Sequence, residues 1–135
     1  MHELDMIKTS NANDEDTGKE VSSVKVNHLN LTVTDVKAAR EFLEKYFNLQ
    51  TEHTRGNGFA VLLDNDGFVL TLMKGTKVNY PSTFHIGFIQ DSEDKVNEIN
   101  ERMKNDGFDV MPPQRSHGWT FYVEAPGGFT IEVLC

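Results

Sequence analysis

The second half of the chain repeats the first, and no other feature limits the possible folds as tightly. A displacement of 61 residues lays Gly67-Phe68-Val69-Leu70-Thr71 on Gly128-Phe129-Thr130-Ile131-Glu132 without a gap, and a displacement of 57 lays His28-Leu29 on His85-Ile86. A chain that repeats in this way folds as two copies of one unit, because each copy must satisfy the same order of apolar and polar positions.

Each unit reads as β-α-β-β-β. From Val26 to Val33 the alternation puts Leu29, Leu31 and Val33 on one face and His28, Asn30 and Thr32 on the other. Thr34 or Asp35 can cap a helix running to about Phe47, with Val36, Ala39, Leu43 and Phe47 as its apolar stripe. Strands then follow near Gln50 to Thr54, Phe59 to Leu63 and Phe68 to Met73, the last two joined by the loop Asp64-Asn65-Asp66-Gly67. In the second unit a strand is predicted over 82–89. Asp91 or Ser92 caps a helix with Val96, Ile99 and Met103 facing inward, and Gly107 closes it. After a Pro112-Pro113 break, a hairpin pairs Trp119 to Glu124 with Phe129 to Leu134. The expected fold is α+β: two paired βαβββ modules, about 24–75 and 82–135, forming a curved-sheet cup within one domain, 23–135. Residues 1–22 are polar and acidic with no apolar period, and are expected to form a flexible extension outside the core.

The balance of charge removes several classes of function. Thirteen Lys and Arg against 21 Asp and Glu give a net charge of -8, and a pI near 5.0 argues against a protein that tracks nucleic-acid phosphates. No apolar run approaches the roughly 20 residues of a membrane span, and no signal segment is evident. A single cysteine, Cys135, cannot form an internal disulfide, so a reducing, cytoplasmic setting is expected.

The chemistry gathers around Glu132. Alternation along the last strand puts Phe129, Ile131 and Val133 on one face and Thr130, Glu132 and Leu134 on the other. A carboxylate in such a strand needs a cation, a metal or a hydrogen-bond network beside it. If the two modules pair about a pseudo-twofold axis, the repeat sets His28 against His85 and Thr71 against Glu132. Two imidazoles and one carboxylate then make a metal site suited to Zn, Mn, Fe, Ni or Co, with Thr71 too poor a ligand to fill the fourth slot. The bland alternative is a polar but empty cup. His117, in the loop entering the final hairpin, is a candidate acid/base or substrate contact, whereas His53 reads as surface. A three-residue Pro126-Gly127-Gly128 turn would place Tyr122 across from Glu132; a four-residue loop would place Phe121 there. Asn30 lines the same face as His28, and Trp119 reads as core or pocket wall.

Asn27-His28-Leu29 opening the first module, Phe84-His85-Ile86-Gly87-Phe88 opening the second, and the run from Phe121 to Glu132 together resemble the vicinal oxygen chelate superfamily. That group includes glyoxalase I, bleomycin-resistance proteins, extradiol dioxygenases and fosfomycin-resistance thiol transferases. The resemblance covers residues 24–135. It implies one divalent metal ion on His28, His85 and Glu132, a small-molecule substrate chelated through oxygen, and a homodimer in which the cup belongs to one chain or is shared by two. It also favours Tyr122 over Phe121 as the residue facing Glu132. Thr71 stands where glyoxalase I has a second glutamate, so ordinary glyoxalase chemistry is not implied. The segment from Arg115 to Tyr122 is similar to that of fosfomycin-resistance enzymes, which adds Ser116, Trp119 and Thr120 to Asn30 and Thr71 as candidate substrate contacts. Pro112 replaces a basic residue of those enzymes, and their arginine beyond the glutamate has no counterpart, so an anionic phosphonate would lack its usual cations. The expected function is therefore a divalent-metal-dependent enzyme of lyase, isomerase, thiol transferase or dioxygenase type, with Tyr122 and His117 as catalytic candidates. The alternative is a metal-free dimeric drug- or metabolite-binding protein of the bleomycin-resistance type.

Overall fold

A computed structural model describes residues 22–135, so the expected extension 1–22 lies, apart from its last residue, outside the described residues. Ten elements follow: β1 (His28–Val33), α1 (Val36–Phe47), β2 (Gln50–Arg55), β3 (Phe59–Leu63), β4 (Val69–Lys74), β5 (His85–Ile89), α2 (Glu93–Asn105), β6 (Gln114–Arg115), β7 (Trp119–Ala125) and β8 (Phe129–Leu134). They form two four-stranded sheets of the same order, β1-β4-β3-β2 and β5-β8-β7-β6. The first strand of each module pairs in parallel with the last, and the registers coincide under the repeat. His28 lies beside Val69 and Asn30 beside Thr71, as His85 lies beside Thr130 and Gly87 beside Glu132.

Local chemistry explains most boundaries. Asp35 caps α1 by accepting from the Ala38 N–H (3.0 Å), and Asn48 ends it in the left-handed region. Ser92 caps α2 by accepting from the Lys95 N–H (3.2 Å). Gly107 follows that helix at φ +96°, the conformation a glycine adopts without penalty. The stripe of α1 is wider than expected: Val36, Ala39, Phe42, Leu43 and Tyr46 are buried, while Phe47 turns aside to stack on Phe88 of the other module (4.2 Å between ring centres). The two-residue β6 was not anticipated. It is too short to carry a period, and the preceding prolines read as loop.

One core serves both modules. Leu31, Leu62, Leu72 and Leu43 of the first are continuous with Phe129, Ile131, Met103 and Val96 of the second, all almost fully buried. Each such side chain contributes about 1.5–3 kcal/mol relative to exposure. The modules also meet through specific contacts. The Thr34 N–H donates to the Gly127 carbonyl (3.0 Å), Phe42 packs edge-on against Phe108, and the Tyr46 hydroxyl on α1 donates to Asp106 at the end of α2.

The Tyr46 contact has a measurable signature. Burial, followed by the hydrogen bond to Asp106 and its charge, pushes the Tyr46 phenol from 10 up to about 12. The folded-state value exceeds the unfolded one, so this contribution is intact below pH 10 and is lost as pH rises through 12. Urea unfolding between pH 9 and 11.5 is expected to show a loss of about 2 kcal/mol that Tyr46→Phe abolishes. An equal loss in the variant would assign it to other groups.

β1 and β5 are edge strands, and their outer edges are not joined to each other within the chain. Val26, two residues before β1, and Ile89, the last residue of β5, are 79 % and 77 % exposed. At Thr32 the edge of β1 is covered by a side chain instead: the Tyr80 hydroxyl accepts from the Thr32 N–H and donates to its carbonyl, both at 2.9 Å.

Candidate metal and substrate site

Ala125 pairs with Phe129 and Tyr122 with Glu132, so Pro126-Gly127-Gly128 is the three-residue turn that turns Tyr122 and Glu132 to the same side. That side carries the polar residues of the second sheet, opposite the core face formed by Phe121, Val123, Ile131 and Val133. Glu132 is only 4 % exposed. Its two carboxylate oxygens meet different partners. Oε2 accepts from the Thr120 hydroxyl and from His117 Nε2, both at 2.6 Å, while Oε1 faces His85 Nε2 at 3.3 Å.

These contacts set the ionisation of the group. Burial alone would raise the Glu132 carboxyl, but hydrogen bonds from Thr120 and His117, the charge of His117 and a contact from Tyr122 more than offset it. The carboxyl lies below the usual range and stays ionised at neutral pH. Tyr122 moves the other way. Burial first, then the Glu132 charge and hydrogen bond, push its phenol up, so it remains a proton donor. The His85 ring stands edge-on to Tyr122, with 5.5 Å between ring centres.

The imidazole of His85 is oriented by its far nitrogen. Nδ1 lies 3.0 Å from the Thr83 carbonyl, an oxygen that can only accept, so Nδ1 carries the hydrogen and the neutral ring keeps a lone pair on Nε2. A lone pair aimed at a carboxylate oxygen is repulsive unless a proton or cation lies between them. Two donors each about 2.0–2.2 Å from one ion stand roughly this far apart. His28 repeats the arrangement: Nδ1 donates to the Asn27 side-chain oxygen (2.8 Å), which leaves Nε2 free. A backbone carbonyl or side-chain oxygen on the far nitrogen is the usual support of a metal-binding histidine. On donor chemistry, then, His85 and Glu132 fit a divalent ion, and His28 is prepared for one.

Within one chain, His28 does not join the other two. It is exposed, its polar contact is Asn27, and among the described residues no group of three or more His, Cys, Asp or Glu is arranged to hold a metal. The expected three-ligand cup therefore is not closed inside a single chain. The chain carries two separate polar clusters, which would be the half-sites of a cup shared between two copies. One holds His28, Asn30 and Thr71, with the Thr71 hydroxyl donating to the Asn30 side chain (2.6 Å). The other holds His85, Glu132, Thr120, Tyr122 and His117. Ser116 is exposed beside His117. Trp119 belongs to neither half-site: it packs against the core and its indole N–H donates to Asn97 (2.8 Å). Thr120 is 6 % exposed, and its hydroxyl is committed to Glu132.

Sequence reasoning missed Asn27, Thr83 and the Thr120–Glu132 bond. Thr83 acts through its backbone and leaves no signal, whereas Thr120 shares a strand face with Tyr122 and could have been read from alternation. A groove of about 880 Å³ lies elsewhere, where Leu29, Phe47, Leu70, Ile86 and Ile99 line it without Glu132.

Two βαβββ modules with the same strand order and register, and with His28 and His85 at equivalent strand positions, define the class of fold. Residues 25–133 match the sequence model of the Glyoxalase/Bleomycin resistance protein/Dioxygenase superfamily, and the chain belongs to that superfamily. Among solved structures it is similar to one described as a possible glyoxalase from Bacillus cereus, at 65 % identity over 84 % of this chain and 100 % of that one (TM-score 0.82). It shares its fold with the fosfomycin resistance protein FosX from Listeria monocytogenes complexed with Mn(II) and 1S,2S-dihydroxypropylphosphonic acid (23 % identity, 85 % and 93 % covered, TM-score 0.70). The same holds for lactoylglutathione lyase from Agrobacterium tumefaciens (18 % identity, 86 % and 95 % covered, TM-score 0.64). No curated protein matches the chain. No helix among the described residues is long and apolar enough to cross a membrane.

Proposed function

We propose that the protein is a divalent-metal-dependent enzyme acting on a small oxygen-chelating substrate, and that it works as a cytoplasmic homodimer. His28 of one copy would complete the site formed by His85 and Glu132 of the other. The observation that carries this reading is the 3.3 Å approach of His85 Nε2 to Glu132 Oε1, with the far ring nitrogen held by the Thr83 carbonyl at His85 and by the Asn27 side-chain oxygen at His28. Edge strands β1 and β5, with exposed Val26 just before β1 and exposed Ile89 at the end of β5, support association, since unpaired edges are normally covered. A β1 edge beside the β5 edge of a second copy brings the repeat-equivalent His28 and His85 to opposite sides of one cup.

A bound divalent ion supplies stabilisation of negative charge on substrate oxygens. The chain's own groups do the rest. Tyr122, 45 % exposed and kept as a phenol, can donate a hydrogen bond or a proton into the cup. His117 reaches the same carboxylate from an exposed loop and can carry a proton between site and solvent. Asn30 and Thr71 supply polar contacts on the facing half.

Elemental analysis of protein purified without added metal is expected to find about one divalent ion per chain in the wild type and almost none in His85→Ala. If the wild type retains no metal and gains no thermal stability from added Mn(II) or Zn(II), the enzyme reading falls and the metal-free binding protein replaces it.

A further inference from the structure

We infer that Glu132 acts as a one-oxygen metal ligand and that Thr120 is the positioning residue that makes it so; this rests on the metal reading above. The two oxygens are not equivalent. Oε2 accepts from the Thr120 hydroxyl and from His117 Nε2, each at 2.6 Å, so its in-plane lone pairs are both engaged. Oε1 is turned toward His85 Nε2. A carboxylate gripped at one oxygen by two donors cannot rotate to offer both oxygens to an ion without losing buried hydrogen bonds.

The two donors differ in kind. His117 sits on an exposed loop with its side chain 54 % accessible, whereas Thr120 is 6 % exposed within β7. Only the threonine is held rigidly enough to fix the carboxylate plane. The internal repeat gives independent support. Displaced by 61, Glu132 corresponds to Thr71 and Thr120 corresponds to Phe59. In the first module the slot has no carboxylate, the hydroxyl donor is absent from its neighbour, and Thr71 turns to Asn30 instead. The donor thus occurs only in the module that carries the carboxylate. Thr120 acts through Glu132 rather than on substrate.

Mn(II) titration followed by the EPR signal of the free ion tests this with no substrate or turnover. Thr120→Val keeps the shape of the side chain and removes the hydroxyl; it is expected to weaken Mn(II) binding 10–100-fold, the usual cost of losing an outer-shell partner. Thr120→Ala should lose as much without any steric demand, and Thr120→Ser should bind within about threefold of wild type. Urea midpoints of all three report folding separately. Val and Ala variants that bind Mn(II) like the wild type would overturn the assignment, as would a serine variant that falls as far as valine, since packing would then be the cause. A wild type that binds no Mn(II) overturns the underlying metal reading as well, which sets that failure apart from the others.

Discussion

Equimolar His28→Ala and His85→Ala chains, each metal-poor alone, are expected to regain about one quarter of the wild-type metal content when unfolded and refolded together. The reasoning follows from the two half-sites. His28 is exposed with Asn27 as its polar contact, while His85 and Glu132 lie 3.3 Å apart on the second sheet. If each site draws His28 from one copy and the His85–Glu132 pair from the other, a dimer of two different variants contains one site with both lesions and one with neither. Random pairing makes half of the dimers hybrid, and half of the sites in those are intact. Mixing His85→Ala with Glu132→Ala is the control. Both lesions fall in the same half-site, so every site keeps a defect and no metal returns. Metal content after desalting and activity, once a substrate is found, should rise together in the first mixture alone. No recovery in the first mixture would mean that the cup closes within one chain, by a rearrangement of the modules.

The elements were largely legible because they are set locally. Asp35 and Ser92 cap helices through their own side chains, and Pro126-Gly127-Gly128 fixes a register that brings Tyr122 opposite Glu132. The repeat adds a long-range constraint of the same quality: matching registers under displacements of 57 and 61 identify Asn30 with Gly87 and Thr71 with Glu132. What could not be read is how the two modules sit against each other. That depends on side chains whose patterns are ambiguous in isolation. Phe47 fits the inward stripe of α1 yet stacks across the module boundary on Phe88, and Phe42 and Tyr46 take its place. Equivalent slots therefore implied convergence of three ligands, but not whether one chain or two would supply them. The hydrogen bonds on Glu132 were hidden for a related reason: Thr120 reaches Oε2 diagonally across β7 and β8 rather than from the directly paired position.

Module docking can be tested at one glycine. Gly127→Ala is expected to destabilise the protein by about 2–5 kcal/mol, a large share of the roughly 5–15 kcal/mol that holds a domain together. Two causes combine. Gly127 has φ +100°, which side-chain-bearing residues adopt at a cost of about 1–2 kcal/mol. Its missing Cβ would also stand 2.9 Å from the Val33 Cβ and 3.4 Å from the Ala39 Cβ, both fully buried, and overpacking such a contact costs about 1–3 kcal/mol. The same residue's carbonyl receives the Thr34 N–H, so relief by moving the turn would break a hydrogen bond between modules. Gly107→Ala separates the two causes. It has nearly the same φ, +96°, but open space where its Cβ would go, so strain alone applies and about 1–2 kcal/mol is expected. Urea unfolding of the two variants measures the difference. Equal costs would show that the turn of the last hairpin is not a close contact, and that something else holds the β8 strand bearing Glu132 against the β1–α1 corner. A larger cost at Gly127, joined by weaker metal retention in the folded fraction, would show that the seat of this turn sets where the carboxylate stands.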